Sequence, residues 1–284
     1  MPVILQLSDA HLSLRNTLFR DNLERILRIA EETKPDLVVA TGDLSLDGAD
    51  RAEDLALAAE LHGAFPGRFM ALPGNHDVGS HPHTMPRQPV DTARLARFRE
   101  YLGIGRGVVD LPGWRVIGLN SEIMGTGHEE EAAQAEFLAA SLAGARDRRL
   151  ALFLHKPVFV TEPTDPTFDY WSVPPHARGA LEPVLSHPAL RLVASGHLHL
   201  HRQFTQGDVA FAWAPPLSFV VNPAEQRGLP GERVCGALLH RLHNDHVQTI
   251  LLSPEGIETP HLDDIRHMTY PRHTTLSRVD KADP

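Results

Sequence analysis

One cysteine stands in the chain of 284 residues, Cys235, so no internal disulfide can form and no thiolate cage for a structural zinc can be assembled. Nor does any apolar run approach the roughly 20 residues needed to cross a bilayer. The first residues pass from Met1-Pro2-Val3-Ile4-Leu5 straight into polar sequence, without a basic stretch or a full hydrophobic segment, and a cytoplasmic protein is expected. Positive charge is in deficit: 27 Lys and Arg face 36 Asp and Glu, a formal charge of −9, with no long basic run. Such a field repels polyanions, which argues against nucleic acid and anionic membranes as partners. Internal repeats, low-complexity tracts and a dividing linker are missing too, so one domain is expected over residues 1–252. Residues 253–284, polar, proline-containing and weakly periodic, read as an extended arm or a disordered tail, and an arm could serve homodimerisation.

What is there can fill a core, because 42% of the residues are hydrophobic. Short runs rich in Val, Ile and Leu at Val3–Leu7, 37–40, Arg68–Leu72, 115–119, 150–154 and 190–194 read as buried strands. Between them, stripes at helical spacing (Leu23, Ile26, Leu27 and Ala30; Leu55, Ala58, Ala59 and Leu61; Leu95, Phe98 and Leu102) read as amphipathic helices. A fourth helix is expected over 129–143, opening on acidic residues and ending near Gly144. After Gly196 the pattern turns mainly to strands, at 209–214, 233–242 and 246–252. The fold class is α/β.

Eighteen histidines are the unusual number, and several of them fall at strand ends. Asp9 and His11 follow the first strand, Asp43 the second, and Asn75, His76 and Asp77 the third. His155 follows the strand at 150–154, and His197 and His199 the strand at 190–194. Loops beyond the carboxyl ends of strands in an α/β sheet converge on one crevice, so residues far apart in sequence can surround a single point. Asp-x-His and His-x-His spacings in extended or turning backbone aim both side chains the same way. Gly42, Gly74 and Gly196, each preceding a polar residue of the set, allow tight turns and close approach. Carboxylate, imidazole and carboxamide without thiolate suit Mn, Fe, Co or Zn in a hydrolytic site. Taken singly, each block has an ordinary reading as a turn, a polar loop or a solvated imidazole. Their co-occurrence in order at five strand ends is what carries the signal.

Ser8-Asp9-Ala10-His11, Gly42-Asp43, Gly74-Asn75-His76-Asp77, His155 and Gly196-His197-Leu198-His199 together resemble the calcineurin-like metallophosphoesterase superfamily. The resemblance runs from about Val3 to His199. It implies a four-layered α/β/β/α sandwich of two mixed sheets and two transition-metal ions. By resemblance Asp9, His11 and His199 hold one metal, Asn75, His155 and His197 the other, and Asp43 bridges both. Two cations of that kind can activate a water for attack on phosphorus and offset the charge that builds there. The resemblance also places His76 near the leaving oxygen, as general acid or transition-state stabiliser, with Asp77 to orient its ring and raise its pKa.

Gly42-Asp43-Leu44-Ser45-Leu46 lacks the tyrosine that purple acid phosphatases carry after this motif, and Asp47-Gly48 lacks the arginine-bearing motif of protein Ser/Thr phosphatases. The pattern is most similar to small bacterial-type phosphodiesterases, the class III cyclic-nucleotide and glycerophosphodiester type. It departs from many of them at His155-Lys156-Pro157, where consecutive histidines are common; the Lys156 side chain is expected in solvent. The expected substrate is a small phosphate ester, a diester before a monoester, with a nuclease or a non-catalytic binding scaffold as the other readings. His201 reads as solvent-exposed on the strand that follows. His81 and His83 read as loop residues or pocket wall, His176 and Arg178 as phosphate contacts or a helix start. Phe168, Tyr170 and Trp171 read as a stacking platform or a packed lid.

Overall fold

A computed structural model of the chain describes residues 1–269. One sheet carries β1 (Val3–Leu7), β2 (Leu37–Thr41), β3 (Arg68–Leu72), β10 (Ala237–Leu242) and β11 (Val247–Leu252) in the order β11-β10-β1-β2-β3. The other carries β4 (Gly107–Leu111), β5 (Trp114–Gly118), β6 (Arg149–Phe153), β7 (Leu190–Ser195), β8 (Arg202–Gln206) and β9 (Val209–Trp213) in the order β4-β5-β6-β7-β9-β8. β1, β2 and β3 run parallel, as do β5, β6, β7 and β9, while the outer strands pair antiparallel, so both sheets are mixed.

Alternation along the strands builds the layers. Leu5, Leu7, Val38 and Ala40 point to one face of the first sheet, where they meet Leu23 and Ile26 of α1 (Arg20–Thr33), Leu55 and Ala58 of α2 (Ala52–His62), and Leu95 and Phe98 of α4 (Thr92–Leu102). A short α3 (Asn75–Val78) opens the third loop. Ile4, Val39, Leu72, Val116, Phe153, Leu192 and Leu238 fill the space between the sheets. On the far side Leu150, Leu152 and Val193 pack against Leu138 of α5 (Glu130–Ala143), Leu181 of a 3-10 turn (Pro175–Leu181) and Val184 of α6 (Glu182–Leu185). The four-layered α/β/β/α arrangement is the one the sequence implied.

Gln6 and His240 are polar and fully buried on the inter-sheet side. Gln6 Oε1 can only accept, so His240 Nε2 donates to it at 2.9 Å and Nδ1 accepts from Thr249 at 2.8 Å. Burial holds the His240 ring down at about 3, so it stays neutral. Gln6 Nε2 in turn donates to Thr41 Oγ1 and to the Ser195 carbonyl, tying the ends of β1, β2 and β7 together directly beneath the candidate site.

β4, a sheet-edge strand, was not foreseen, and the strand expected over 233–242 begins at Ala237. The segment expected as an arm or tail departs from that reading over 253–269. It folds back through a bridge between Val220 and His261 and ends in α7 (Leu262–Thr269), whose Leu262 packs on Phe19 and Phe219. The rest of that expectation, 270–284, lies outside the described residues. No helix among the described residues is long and apolar enough to cross a membrane. Cys235 is buried, which pushes its thiol up to about 12.

Candidate metal centre

The loops after β1 and β2 run side by side: Asp9 N donates to Gly42 O, His11 N to Asp43 O and Leu12 N to Leu44 O. Among the described residues seven that are not glycine adopt positive φ, and five of them are Asp9, His11, Asp43, His197 and His199. Each such residue costs roughly 1–3 kcal/mol, and that strain persists only where the surroundings impose it. Gly42, at φ 90°, lies where a Cβ would meet the His155 ring at 2.3 Å, and a Cβ on Gly74 would meet Asp43 Oδ1 at 2.1 Å. Both glycines are therefore required by the approach of the side chains around them.

The structure brings the sequence-derived residues into two groups. Asp9, His11, Asp43 and His199 offer atoms all within 4.8 Å of one another, and so do Asp43, His155 and His197. Asp43 belongs to both. Asn75 joins the second group, its Oδ1 3.1 Å from His155 Nε2. In the first group Asp9 Oδ2 accepts from Ser8 Oγ and His197 N, whereas buried Asp9 Oδ1 has no hydrogen-bond partner. Burial, with Asp9 and Asp77 beside it, pushes the Asp43 carboxyl well above the usual carboxylate range. A site that crowds carboxylates in this way is short of positive charge.

The imidazoles show the same deficit through their tautomers. A carbonyl can only accept, so His155 donates from Nδ1 to Thr41 O (2.7 Å), His199 from Nδ1 to Phe219 O (2.6 Å) and His197 from Nε2 to Tyr170 O (2.9 Å). In the neutral rings the opposite nitrogens are then bare. His155 Nε2 and His197 Nδ1 nonetheless face each other at 3.2 Å, and His11 Nε2 lies 3.1 Å from His199 Nε2. Burial holds His11 and His197 well below the usual histidine range. The bare His155 and His197 nitrogens turned on one another beside Asn75 Oδ1, and the orphaned Asp9 oxygen of the other group, fit cations.

His76 and Asp77 lie beside these groups with a different division of labour from the one expected. Asp77 accepts from Gly74 N, Leu44 N, Ser45 N and Ser45 Oγ, so it clamps the second loop to the third. The His76 ring is oriented instead by Leu46 O, 3.0 Å from Nδ1, and burial holds it down at about 4. Its backbone N–H donates to Asp43 Oδ1 at 2.8 Å. His76 and Asp43 share a cavity of about 330 Å³ with Tyr170, Trp171, His197, His199, Phe219, Val221 and, from α7, Leu262 and Arg266.

Lys156 reverses its expectation. It is 3% exposed, donates to Ser80 Oγ at 2.7 Å and stands 3.4 Å from Glu122, itself 1% exposed. Glu122 follows the end of β5, where the polar triplet Asn120-Ser121-Glu122 repeats the strand-end signal that located the other loops. Removing one partner of such a pair strands a buried charge. Lys156→Met is expected to lose about 3–5 kcal/mol of unfolding free energy in a denaturant titration, and adding Glu122→Leu to restore most of it. A single variant as stable as the parent would show that the pair contributes nothing.

His201 is buried rather than exposed, with Nδ1 3.3 Å from the Trp213 carbonyl oxygen. Arg178 contacts no open site: its guanidinium donates to Val173 O, Pro163 O, Asp165 O and Ser172 Oγ, and so pins the loop 156–178 in its own fold. His81 and His176 both point Nε2 at Gly125 O, and the rings of His81, His83 and His176 surround Phe168. The Phe168 stretch is thus a packed lid, whereas Tyr170 reaches the metal-type residues themselves.

Comparison with known proteins gives a match to the model of the calcineurin-like phosphoesterase family over residues 2–201. The chain is 30% identical over 259 residues to the 3',5'-cyclic adenosine monophosphate phosphodiesterase CpdA of Pseudomonas aeruginosa, covering 86% of each chain. It is 29% identical over 166 residues to a protein named probable glycerophosphodiester phosphodiesterase GpdQ from Arcobacter nitrofigilis, covering 55% of this chain and 57% of that one. Among solved structures it resembles GAP50, the anchor in the inner membrane complex of Plasmodium, with a TM-score of 0.60 at 13% identity over 91% of this chain and 86% of that one, a likeness of fold alone.

Proposed function

Because the chain belongs to the calcineurin-like phosphoesterase family, we propose that it hydrolyses small phosphate diesters with two divalent transition-metal ions. Asp9, His11 and His199 would hold one ion, Asn75, His155 and His197 the other, with Asp43 shared between them. The observation that carries this reading is the convergence of imidazole nitrogens and carboxylate oxygens into two groups with one shared carboxylate. Mn, Fe, Co and Zn all suit this donor set. A diester is favoured because relatives on both sides of the comparison are named for diesters, a cyclic nucleotide in one and a glycerophosphodiester in the other. Likeness of fold to an anchor protein does not favour a scaffold here, since a scaffold has no use for a complete set of converging donors held in strained backbone.

When bound, the cations supply Lewis acidity, making a water acidic enough to attack phosphorus and offsetting charge on the phosphoryl oxygens. The rest falls to the chain. The cavity of about 330 Å³ admits a molecule of nucleotide scale, with Trp171, Phe219, Val221 and Leu262 as an apolar wall for the ester arms. His76 lines that cavity next to Asp43. Its Nδ1–H is held by Leu46 O, so Nε2 is the nitrogen that must carry the proton given to the leaving oxygen. Burial holds that ring down at about 4, so it can donate a proton only where a phosphate anion beside it raises that value. Asp77 keeps the His76 loop rigid while this happens.

The test compares an aryl phosphate diester with the matching monoester, using protein loaded with Mn2+ and protein stripped by chelator. The diester is expected to turn over at least about tenfold faster, and the stripped protein to lose both activities. Faster turnover of the monoester would make this a phosphatase, and undiminished activity after chelation would remove the metal reading.

A further inference from the structure

The two groups of donors are supported from different parts of the molecule. Asp9, His11 and His199 are fixed by segments packed into the body: Ser8 Oγ on Asp9 Oδ2, Ser218 Oγ on Asp9 O, Asp43 O on His11 N, and Phe219 O on His199 Nδ1. Of the second group, His155 leans on Thr41 O in the same way. Asn75 and His197 instead lean on one residue of the lid, Tyr170.

Tyr170 grips them by two different atoms. Its hydroxyl oxygen accepts from Asn75 Nδ2 at 2.8 Å, which turns Asn75 Oδ1 toward His155 Nε2. Its main-chain carbonyl accepts from His197 Nε2 at 2.9 Å, which leaves His197 Nδ1 as the bare nitrogen. The Tyr170 ring also lies 4.7 Å from the His197 ring, and Lys156 Nζ lies 5.2 Å from the Tyr170 ring centre. Lys156 is in turn fixed by Ser80 and Glu122, so the clamp has a rigid seat. With Asn75 Nδ2 engaged on the hydroxyl, Oδ1 is the end left for a cation.

We infer that Tyr170 is a positioning residue that sets the affinity of the second cation position, held by Asn75, His155 and His197, and leaves the first to the body of the fold. The inference rests on the two-cation reading of the site. It makes the metal pair unequal: the second position depends on the segment carrying Tyr170, and the first does not. Outer partners of metal ligands commonly change affinity by about 10–100-fold when removed. Tyr170→Phe deletes the hydroxyl and keeps both the ring and the carbonyl bond to His197, so the loss is confined to the Asn75 arm.

The experiment is an equilibrium-binding titration of Mn2+ alone into metal-free protein, counting ions bound per chain, for the parent, Tyr170→Phe, Asn75→Ala and the double variant. The parent is expected to bind two ions. Tyr170→Phe is expected to bind one ion as the parent does and the other about 10–100-fold more weakly. Asn75→Ala is expected to weaken that same step, and the double variant to bind no worse than Asn75→Ala, because the hydroxyl acts through Asn75. Two unchanged steps in Tyr170→Phe, or both weakened alike, would overturn the inference while leaving the two-cation site intact. A parent that binds a single ion would instead remove the two-cation reading and this inference with it.

Discussion

Asp43→Asn is expected to reduce diester turnover by at least about 10³-fold, beyond the 10–100-fold range of residues that only support a ligand. Among the described residues, Asp43 is the one side chain common to both donor groups. Its Oδ1 lies 3.5 Å from His155 Nε2 and its Oδ2 3.6 Å from His11 Nε2, so each oxygen faces a different group. An amide keeps the shape and one acceptor oxygen, but it cannot present two anionic oxygens. The same substitution has the opposite sign for the metal-free protein. Burial and the neighbouring Asp9 and Asp77 already oppose ionisation of Asp43, so the neutral amide relieves repulsion. Metal-free Asp43→Asn is therefore expected to melt above the metal-free parent, while added Mn2+ raises the parent far more than the variant. Thermal melts with and without Mn2+ check this. A variant that binds two ions and turns over normally would show that Asp43 bridges nothing.

Replacing His76 with alanine is expected to reduce turnover without disturbing metal binding, since His76 belongs to neither donor group. Loss of a general acid costs roughly 10²–10⁴-fold, and the loss grows with the basicity of the leaving oxygen. An alkyl diester should therefore suffer most and a diester with a nitrophenol leaving group least. Parallel rates for His76→Ala on the two substrates measure the difference. An equal loss on both would make His76 a stabiliser of transition-state charge instead of a proton donor, and no loss on either would remove it from the mechanism.

Much of the site could be read from the sequence because its chemistry is carried by strand ends. β1, β2, β3, β6 and β7 each terminate in one of the five blocks, and parallel strands within each sheet place those ends on one rim. Asp9, His11, Asp43, Asn75, His155, His197 and His199 were thus legible from residue type and position. Their supports were not, because each support is a contact between segments distant in sequence. Asp77 sits next to His76 yet spends its oxygens on the loop 32 to 33 residues earlier. Lys156, read as exposed from its charge, is buried because Glu122 and Ser80 are folded against it. Tyr170 stood out only as one aromatic residue among three, and nothing local reveals that its hydroxyl meets Asn75 across 95 residues.

The fold shows the same limit. The fully buried strands announced themselves as apolar runs, whereas β4, Gly107-Val108-Val109-Asp110-Leu111 on the sheet edge, has too short an apolar stretch, with an aspartate inside it, to stand out. Likewise α7 is polar over most of its surface and is anchored by Leu262 against Phe19 and Phe219, partners distant from it in sequence. Periodicity carries no information about such anchors. Glu122 is the one support that strand-end logic could have found, since it follows β5 as the other polar residues follow their strands.

The central claim is that one carboxylate joins two cation positions, and the most direct measurement is anomalous X-ray diffraction at the Mn edge from crystals grown with Mn2+. The account predicts two peaks flanking the Asp43 carboxylate, one among Asp9, His11 and His199 and the other among Asn75, His155 and His197. A single peak, or peaks that leave Asp43 outside their coordination, would contradict it.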